Sequence, residues 1–433
     1  MSQLETLARE ILDLARKQGA DYSQCTVSVS EKKEFNVDGG RFSLMRTLYN
    51  RNIVLTVLKN QRKGTVQINR FDSSAVKGAV QDAIAAADSG KPDPAWEFAD
   101  GPSEKDYVDG SPECDTDRLF ARTKELLENI NGKHPKILME QMIASHDRWQ
   151  EVYMTSKGVV YRGLSGAYTV DLMYSGHDGD KGTSFYGSEI TLKDLDQPLI
   201  DCGFVERELS MIEQQLDPQA LEGKFICPVV LAPYALSEIV LDTIMNSFVS
   251  DSCLIDGTSI WKDQLGKTVA NSGFSLSFEP YREDVVVRSH HTGEGYPTEN
   301  YDLIRDGKLM SFALSQYGAN KTGGKRSANS GDNMKVASGS RTLEEMISEI
   351  EKGVLVLRFS GGEPAPSGEF SGVAKNSFLI ENGKIKCALS ETMISGCVPE
   401  MLTNIRGISS DTLKDGTISL PYIAFDGLTV SGK

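Results

Sequence analysis

Long apolar runs are missing from this sequence: 39% of its residues are hydrophobic, yet no stretch reaches the roughly 18 apolar residues of a membrane-spanning helix. The first residues, MSQLETLAREILDLARKQGADY, have the pattern of an amphipathic helix with charges of both signs. They lack the apolar core and the small-residue cleavage site of a secretory signal. We therefore expect a cytoplasmic protein.

Basic clusters and closely spaced cysteines are also absent. The net charge is −15, and the lysines and arginines are spread along the chain, whereas nucleic-acid binding usually requires a concentrated basic surface. The seven cysteines are odd in number and include no C-x-x-C pair, a usage typical of free thiols in a reducing compartment. We expect no nucleic-acid partner and no disulfide framework.

The chain has 433 residues, more than the roughly 250 to 300 that one hydrophobic core supports. Residues 1–100 show an amphipathic helix, then short strands at 25–29, 52–58 and 64–68, and a second helix that begins near Ser73 or Ser74. The composition then changes to Gly, Pro, Ser and acidic residues, which indicates a linker or a long surface connection over 90–112. We predict that residues 1–100 form an N-terminal α/β-type domain.

Two further domains follow in the sequence. Residues 113–215 show a helix over 116–131 and strand-like text with turns over 137–192, which predicts a central antiparallel meander with a helix. Residues 222–433 predict a mixed C-terminal domain rich in antiparallel strands, with helices over 234–249 and 343–352. The fold class that these patterns predict is α+β.

Sequence motifs for common catalytic sites are missing. The five histidines show no H-E-x-x-H spacing, and no G-x-S-x-G nucleophile elbow occurs. The segment 318–327 (GANKTGGKRS) is similar to a phosphate-binding loop, but an extra glycine separates Gly323 from Lys325. A P-loop needs its lysine directly after the second fixed glycine. We expect a structural or peptide-contacting loop at 318–327 instead.

The helix predicted over 234–249 is apolar around most of its circumference, which indicates a buried helix. Its exception is a narrow polar stripe of Glu238, Asp242 and Asn246, spaced four residues apart. Two carboxylates there could serve acid–base chemistry or hold a cation. The alternative is a stripe that faces solvent or a subunit cleft, and we favour it because carboxylates without imidazole or thiolate make a poor zinc site.

Several segments of the chain, in this order and spacing, resemble the TldD/PmbA family and, within it, the PmbA or TldE branch. They are the N-terminal text NIVLTVLKNQRKGTVQINRFDSSAVKGAVQDAIAAA, the C-terminal text EGYPTENYDLIRDGKLMSFALSQYGANKTGG and the closing GLTVSG. The resemblance covers most of the chain. It implies the frame of a metallopeptidase subunit.

In the zinc-bearing TldD branch, a helix carries H-E-x-x-x-H and a cysteine near the C-terminus completes the metal site. The resemblance puts the two histidine positions at Leu241 and Asn246, the glutamate position at Asp242 and the cysteine position at Thr412. It therefore implies a chain without zinc ligands and without a cofactor of its own. Residues five apart on a regular helix point about 140° away from each other, so such a motif needs a π-like widening. Because this chain has no zinc ligands whose binding could offset that strain, we expect a regular helix.

The family further implies a two-subunit protease in which a TldD-like, zinc-bearing partner cuts unfolded peptides or matures peptide precursors. We expect this chain to be the other, non-catalytic subunit of a heterodimer, with peptide-contacting loops at Glu294, Gly295, Thr322 and Gly323. Two alternatives remain open: a protein-binding regulator of the "modulator of DNA gyrase" type, and a homodimeric metallopeptidase with an unrecognised site. Whether the chain is active alone is left open as well.

Overall fold

Two β-sheets, each packed against helices, organise the residues that a computed structural model describes: 2–362, 364–390 and 392–432. The predicted α+β class is confirmed, since helices and mostly antiparallel strands are both abundant. No described helix is long and apolar enough to cross a membrane.

The first part of the chain contains the first sheet and its helices. Its elements are α1 (Gln3–Lys17), β1 (Tyr22–Asp38), β2 (Arg41–Lys59), β3 (Arg62–Ile68), α2 (Ser73–Ser89), β4 (Ser103–Gly110), α3 (Thr116–Lys133), β5 (Ile137–Thr155), β6 (Val159–Asp178), β7 (Lys181–Gly182), β8 (Tyr186–Leu192) and α4 (Val205–Glu213).

The second part contains the second sheet. Its strands are β9 (Gln219–Ala220), β10 (Lys224–Leu231), β11 (Leu276–Phe278), β12 (Tyr301–Arg305), β13 (Lys308–Leu309), β14 (Met334–Val336), β15 (Lys352–Gly361), β16 (Glu369–Glu381), β17 (Lys384–Ser390), β18 (Met393–Cys397), β19 (Ile405–Lys414) and β20 (Ser419–Ser431). Its helices are α5 (Pro233–Leu236), which continues to Val249 in π-helical form, α6 (Asp251–Ile255), α7 (Gln316–Thr322), α8 (Leu343–Ser348) and α9 (Val398–Thr403).

The first sheet has the strand order β3-β2-β1-β5-β6-β4, with β8 also on β6. β1 pairs with β5 along its length, from Gln24 opposite Thr155 to Asp38 opposite Gln141. The segments 1–100 and 113–215 thus contribute strands to one sheet. The expectation of a linker over 90–112 is wrong for its second half, which is β4. β4 pairs in parallel with residues 159–166 of β6, a distant partner that local composition does not reveal.

The first hairpin is much longer than the sequence predicted. The strands expected at 25–29 and 52–58 are only the inner parts of β1 and β2, which run on to a turn at Gly39 and Gly40, both with positive φ. Polar residues on both faces of the outer half hide the alternation that usually marks a strand. The cap of α2 is Asp72 rather than Ser73 or Ser74, since the Asp72 carboxylate accepts from the backbone N–H of Ala75 at 3.0 Å.

The second sheet is buried on both faces. Val229 and Leu231 of β10 enter one apolar core together with the helix that follows β10. Val230, between them, enters a second core that also contains α4, α8 and residues of the first sheet. Because successive side chains of a strand point to opposite faces, this alternation fixes the helix 233–249 on one face of the sheet.

Two local predictions in the C-terminal part need correction. The helix expected over 343–352 begins as predicted, where Thr342 and Glu345 form a capping box, but it ends at Ser348, and β15 already begins at Lys352. The loop expected at 318–327 is helical over its first half, as part of α7, which Gly323 ends at φ 72°. Seven residues without an apolar stripe give no periodic helix signal.

Candidate functional site

The helix after β10 is not regular. It starts at Pro233, but the segments Ser237–Leu241 and Ile244–Val249 are π-helical, and the N–H of Asp242 bonds to the carbonyl of Ser237, five residues earlier. The expectation of a regular helix is therefore wrong. That expectation assumed that only bound metal could offset the strain of a π-helical turn. Here the widened turns carry fully buried side chains such as Ile239, Leu241 and Phe248, and this packing stabilises them instead.

The polar stripe of this helix lines an open recess of about 370 Å³. Glu238, Asp242, Asn246 and neighbouring side chains form one wall, and residues 359–362 at the end of β15 form the other. We call this the helix recess. The three stripe residues are exposed, as the favoured alternative expected, but they share one concave surface. Sequence spacing therefore grouped them correctly without showing what they face.

The carboxylates of the helix recess have few partners. The backbone N–H of Phe359 donates to Glu238 Oε2 at 2.9 Å. Desolvation by surrounding protein atoms raises the pKa of Glu238, and the hydrogen bond from Phe359 opposes this shift. Desolvation also raises the pKa of Asp242. Carboxylates in such a setting are well suited to accept hydrogen bonds from a ligand that displaces water.

The positions that the resemblance equates with zinc ligands do not converge. Leu241 is fully buried in the apolar core, whereas Asp242 and Asn246 line the helix recess. Thr412 lies in β19 opposite Pro421 of β20. The end of β15 forms a wall of the helix recess, and β10 and β20 lie between β15 and β19. Because neighbouring strands are about 4.8 Å apart, β19 lies about three strand spacings from β15.

The donor set does not fit zinc either, since an aspartate, an amide and a distant hydroxyl provide no imidazole or thiolate. Among residues 2–362, 364–390 and 392–432, no group of three or more His, Cys, Asp or Glu side chains could hold a metal ion. The residues present therefore do not match the zinc site of the TldD branch.

The predicted peptide-contacting residues separate into two places. Glu294 lines a second recess of about 320 Å³ together with Asp251 and Arg326. Gly295 lies in a turn against the ring of Tyr153 in β5, with φ 87°. Thr322 and Gly323 lie at the end of α7, where the Thr322 hydroxyl donates to the carbonyl of Gly318 at 2.8 Å. Only Glu294 of the four lines a recess among those described.

Sequence reasoning missed a buried polar junction between the two sheets. His290 Nε2 lies 2.8 Å from Asp109 Oδ2, both side chains are buried, and the ring of Tyr107 stacks on His290 at 3.8 Å. The adjacent His291 packs between the rings of Tyr153 and Tyr161. Both histidines thus contact the first sheet. Two adjacent histidines alone carry no signal of such partners.

The second sheet and its helices form a C-terminal domain that follows an N-terminal α+β part. Residues 223–432 match the model of the PmbA/TldA metallopeptidase C-terminal domain. The chain is 24% identical to the metalloprotease PmbA homolog of Haemophilus influenzae, over 97% of this chain and 94% of that protein. It is also 24% identical to metalloprotease PmbA of Escherichia coli O157:H7, over 92% of this chain and 88% of that protein.

Solved structures share the whole fold. TldE from Thermococcus kodakarensis superposes with a TM-score of 0.87 at 20% identity, covering 98% of this chain and all of that one. A candidate modulator of DNA gyrase from Bacteroides thetaiotaomicron gives a TM-score of 0.84 at 19% identity, with both chains fully covered. Residues 223–432 belong to the TldD/PmbA family by their match to its C-terminal domain, and the similarity to PmbA proteins extends over nearly the whole chain.

Proposed function

We propose that this chain is the non-catalytic subunit of a TldD/PmbA-type zinc metallopeptidase complex in the cytoplasm. In this role it forms a heterodimer with a zinc-bearing, TldD-like subunit and helps to present unfolded peptides to the active site of that subunit. The observation that carries the proposal is the helix recess: a π-helical wall is present, but the positions of the family's zinc ligands hold Leu241, Asp242 and Asn246.

The helix recess supports a role in holding an extended peptide. Asp242 and Glu238 can accept hydrogen bonds from peptide N–H groups, and the end of β15 supplies a strand terminus beside them. Recognition of this kind depends mainly on the peptide backbone. We therefore expect weak preference for peptide sequence and strong preference for unfolded substrates.

The first test measures zinc content and proteolysis of the purified chain and of its mixture with the TldD-like protein of the same organism. We expect no stoichiometric zinc in this chain, no cleavage of casein by this chain alone, and cleavage by the mixture at least about tenfold above the partner alone, which corresponds to about 1.4 kcal/mol of transition-state stabilisation. One tightly bound zinc per chain, with chelator-sensitive cleavage of casein, would contradict the proposal and favour a homodimeric peptidase.

A matched pair of variants tests the helix recess within the mixture. Asp242→Asn with Glu238→Gln removes both carboxylates of the recess, and Glu10→Gln with Asp13→Asn removes two exposed carboxylates of α1. The recess variant should raise the KM for an unfolded peptide while the α1 variant leaves it unchanged. Equal KM values for both variants would show that the carboxylates of the helix recess do not bind the peptide.

The names of two similar structures favour one other candidate function. Proteins of Bacteroides thetaiotaomicron and Thermotoga maritima with this fold carry the description of candidate modulators of DNA gyrase. A protein-binding regulator would change the supercoiling rate of purified gyrase without a TldD-like partner. The non-catalytic subunit proposed above would leave that rate unchanged.

A further inference from the structure

The outer half of β2 is an open sheet edge. β1 covers one side of β2 over its whole length, but β3 covers the other side only from Ile53 to Lys59. In the part of the chain that the structure describes, no strand pairs with residues 41–52 on that side. We call this stretch the free edge. At about 3.3 Å per residue it presents about 40 Å of backbone with hydrogen-bonding groups available for another strand.

The free edge also exposes large apolar side chains. Phe42, Leu44, Met45 and Tyr49 are 38%, 45%, 63% and 73% exposed. Phe120 of α3 extends the same surface, since its ring lies 4.9 Å from that of Phe42 and is 42% exposed. Soluble proteins usually shorten, charge or cover such edges, and contiguous exposed apolar patches commonly mark binding surfaces.

The free edge carries an excess of positive charge. Basic residues are spread along the chain as a whole, but residues 39–71 contain seven Lys or Arg and no Asp or Glu, in a chain of net charge −15. Three of these residues, Arg41, Arg46 and Arg51, lie on the free edge. Arg46 is held by Glu34 on β1 at 2.5 Å. Arg41 has no ion-pair partner among the described residues, and neither has Arg51.

A second copy of this chain is a poor occupant of the free edge. In the symmetric antiparallel register centred on Arg46, Arg46 would lie opposite itself and Arg41 opposite Arg51. Like charges directly opposite each other on paired strands are destabilising. The occupant that the charge fits is a strand with carboxylates and alternating apolar side chains.

We infer that the free edge is the docking surface for an extended, acidic strand of the partner subunit, added to the first sheet by main-chain hydrogen bonds. This inference rests on the proposed function, since that function requires a partner. The peptide site proposed above is the helix recess, beside the second sheet, whereas the free edge belongs to the first sheet. Main-chain pairing gives affinity, and the arginines and apolar side chains give specificity.

The test uses the purified TldD-like protein of the same organism as the probe. Arg41→Glu with Arg51→Glu reverses the charge of the free edge. Lys77→Glu with Lys91→Glu makes the same change in net charge at exposed positions on and after α2. Because a misfolded charge variant would be uninformative, Tyr49→Ser serves as a second edge variant, and thermal melts check the fold of each protein. Binding is measured by biolayer interferometry at two salt concentrations.

The expected result is Kd raised at least about tenfold by the charge reversal and severalfold by Tyr49→Ser, with the Lys77/Lys91 control within about twofold of wild type. Equal affinity of all folded variants for the partner would show that the free edge is not the docking surface, but it would not contradict the proposed complex. No binding by the wild-type chain would overturn both this inference and the proposed function. Self-association of the wild-type chain that the edge variants abolish would show that the occupant is a second copy and would overturn the assignment made here.

Discussion

The helix recess and the junction at His290 contain similar polar groups in opposite surroundings. In the recess, the carboxylate of Asp242 is open to solvent and accepts no hydrogen bond from the described residues. At the junction, Asp109 is buried and accepts from both the backbone N–H of Arg288 and His290. Buried polar groups are normally paired because an unpaired one costs free energy. A polar group left without partners in an open recess is therefore the better candidate for binding something outside the chain.

The junction has the pattern of a structural contact in further respects. The Tyr107 hydroxyl donates to Glu151 at 2.5 Å, and the Tyr281 ring packs edge-on against His290. Desolvation lowers the pKa of His291, which packs between two tyrosines. These contacts link the segment after Arg288 to strands β4, β5 and β6. The junction holds the two sheets together, whereas the helix recess remains available.

The largest effect should come from breaking the junction. Asp109→Leu leaves His290 Nε2 and the N–H of Arg288 without an acceptor, and we expect it to lower the free energy of unfolding by about 3 kcal/mol. The matched change Asp242→Leu in the helix recess should change it by no more than about 0.5 kcal/mol. Urea unfolding of both variants measures the difference. Similar losses would mean that the recess carboxylate is structural too.

A second pair of variants distinguishes the two faces of the π-helical segment. Asp242→His with Asn246→His places both imidazoles in the helix recess near Glu238, so zinc should raise Tm. Leu241→His with Asn246→His differs by one position and buries one imidazole in the core, so we expect a loss of about 2 kcal/mol and no zinc response. Thermal melts with and without zinc provide the comparison. Stabilisation of the Leu241 variant by zinc would show that position 241 reaches the recess.

Glu208 differs from both Asp242 and Asp109. It is buried and accepts hydrogen bonds from the hydroxyls of Ser188 and Tyr186. Desolvation raises its pKa from 4.5 to about 8. The folded state therefore keeps a proton that the unfolded state loses above pH 4.5, so stability falls as pH rises from about 4.5 to about 8, by at most about 1.4 kcal/mol per pH unit. Glu208→Gln should remove this part of the slope. An unchanged slope would show that Glu208 is ionised in the folded protein.

Local signals in the sequence predicted what local interactions determine. Apolar periodicity and turn residues predicted the helices α1 and α3, the meander from β5 to β8 and the start of α8, and the structure confirms them. The polar stripe of Glu238, Asp242 and Asn246 was visible for the same reason.

What the sequence did not reveal depends on distant partners. β4 and the outer halves of β1 and β2 take their strand form from pairing across the sheet, and Asp109 meets His290 only after the two sheets pack. The π-helical form depends on how the core fits around Leu241 and Phe248. None of these features follows from neighbouring residues in the sequence, because the interactions that determine them are tertiary.

The position of β20 has a consequence for the order of folding. β20 pairs with β10, β14, β18 and β19 and is thus the most connected strand of the second sheet, although it is the last of them in the sequence. Contacts between distant segments form slowly because their loop-closure entropy must be overcome first. During synthesis, β10 and its buried helix are therefore made about two hundred residues before β20, the strand with which β10 pairs. We expect the second sheet to fold only after β20 has been made, with its apolar face dependent on chaperones until then.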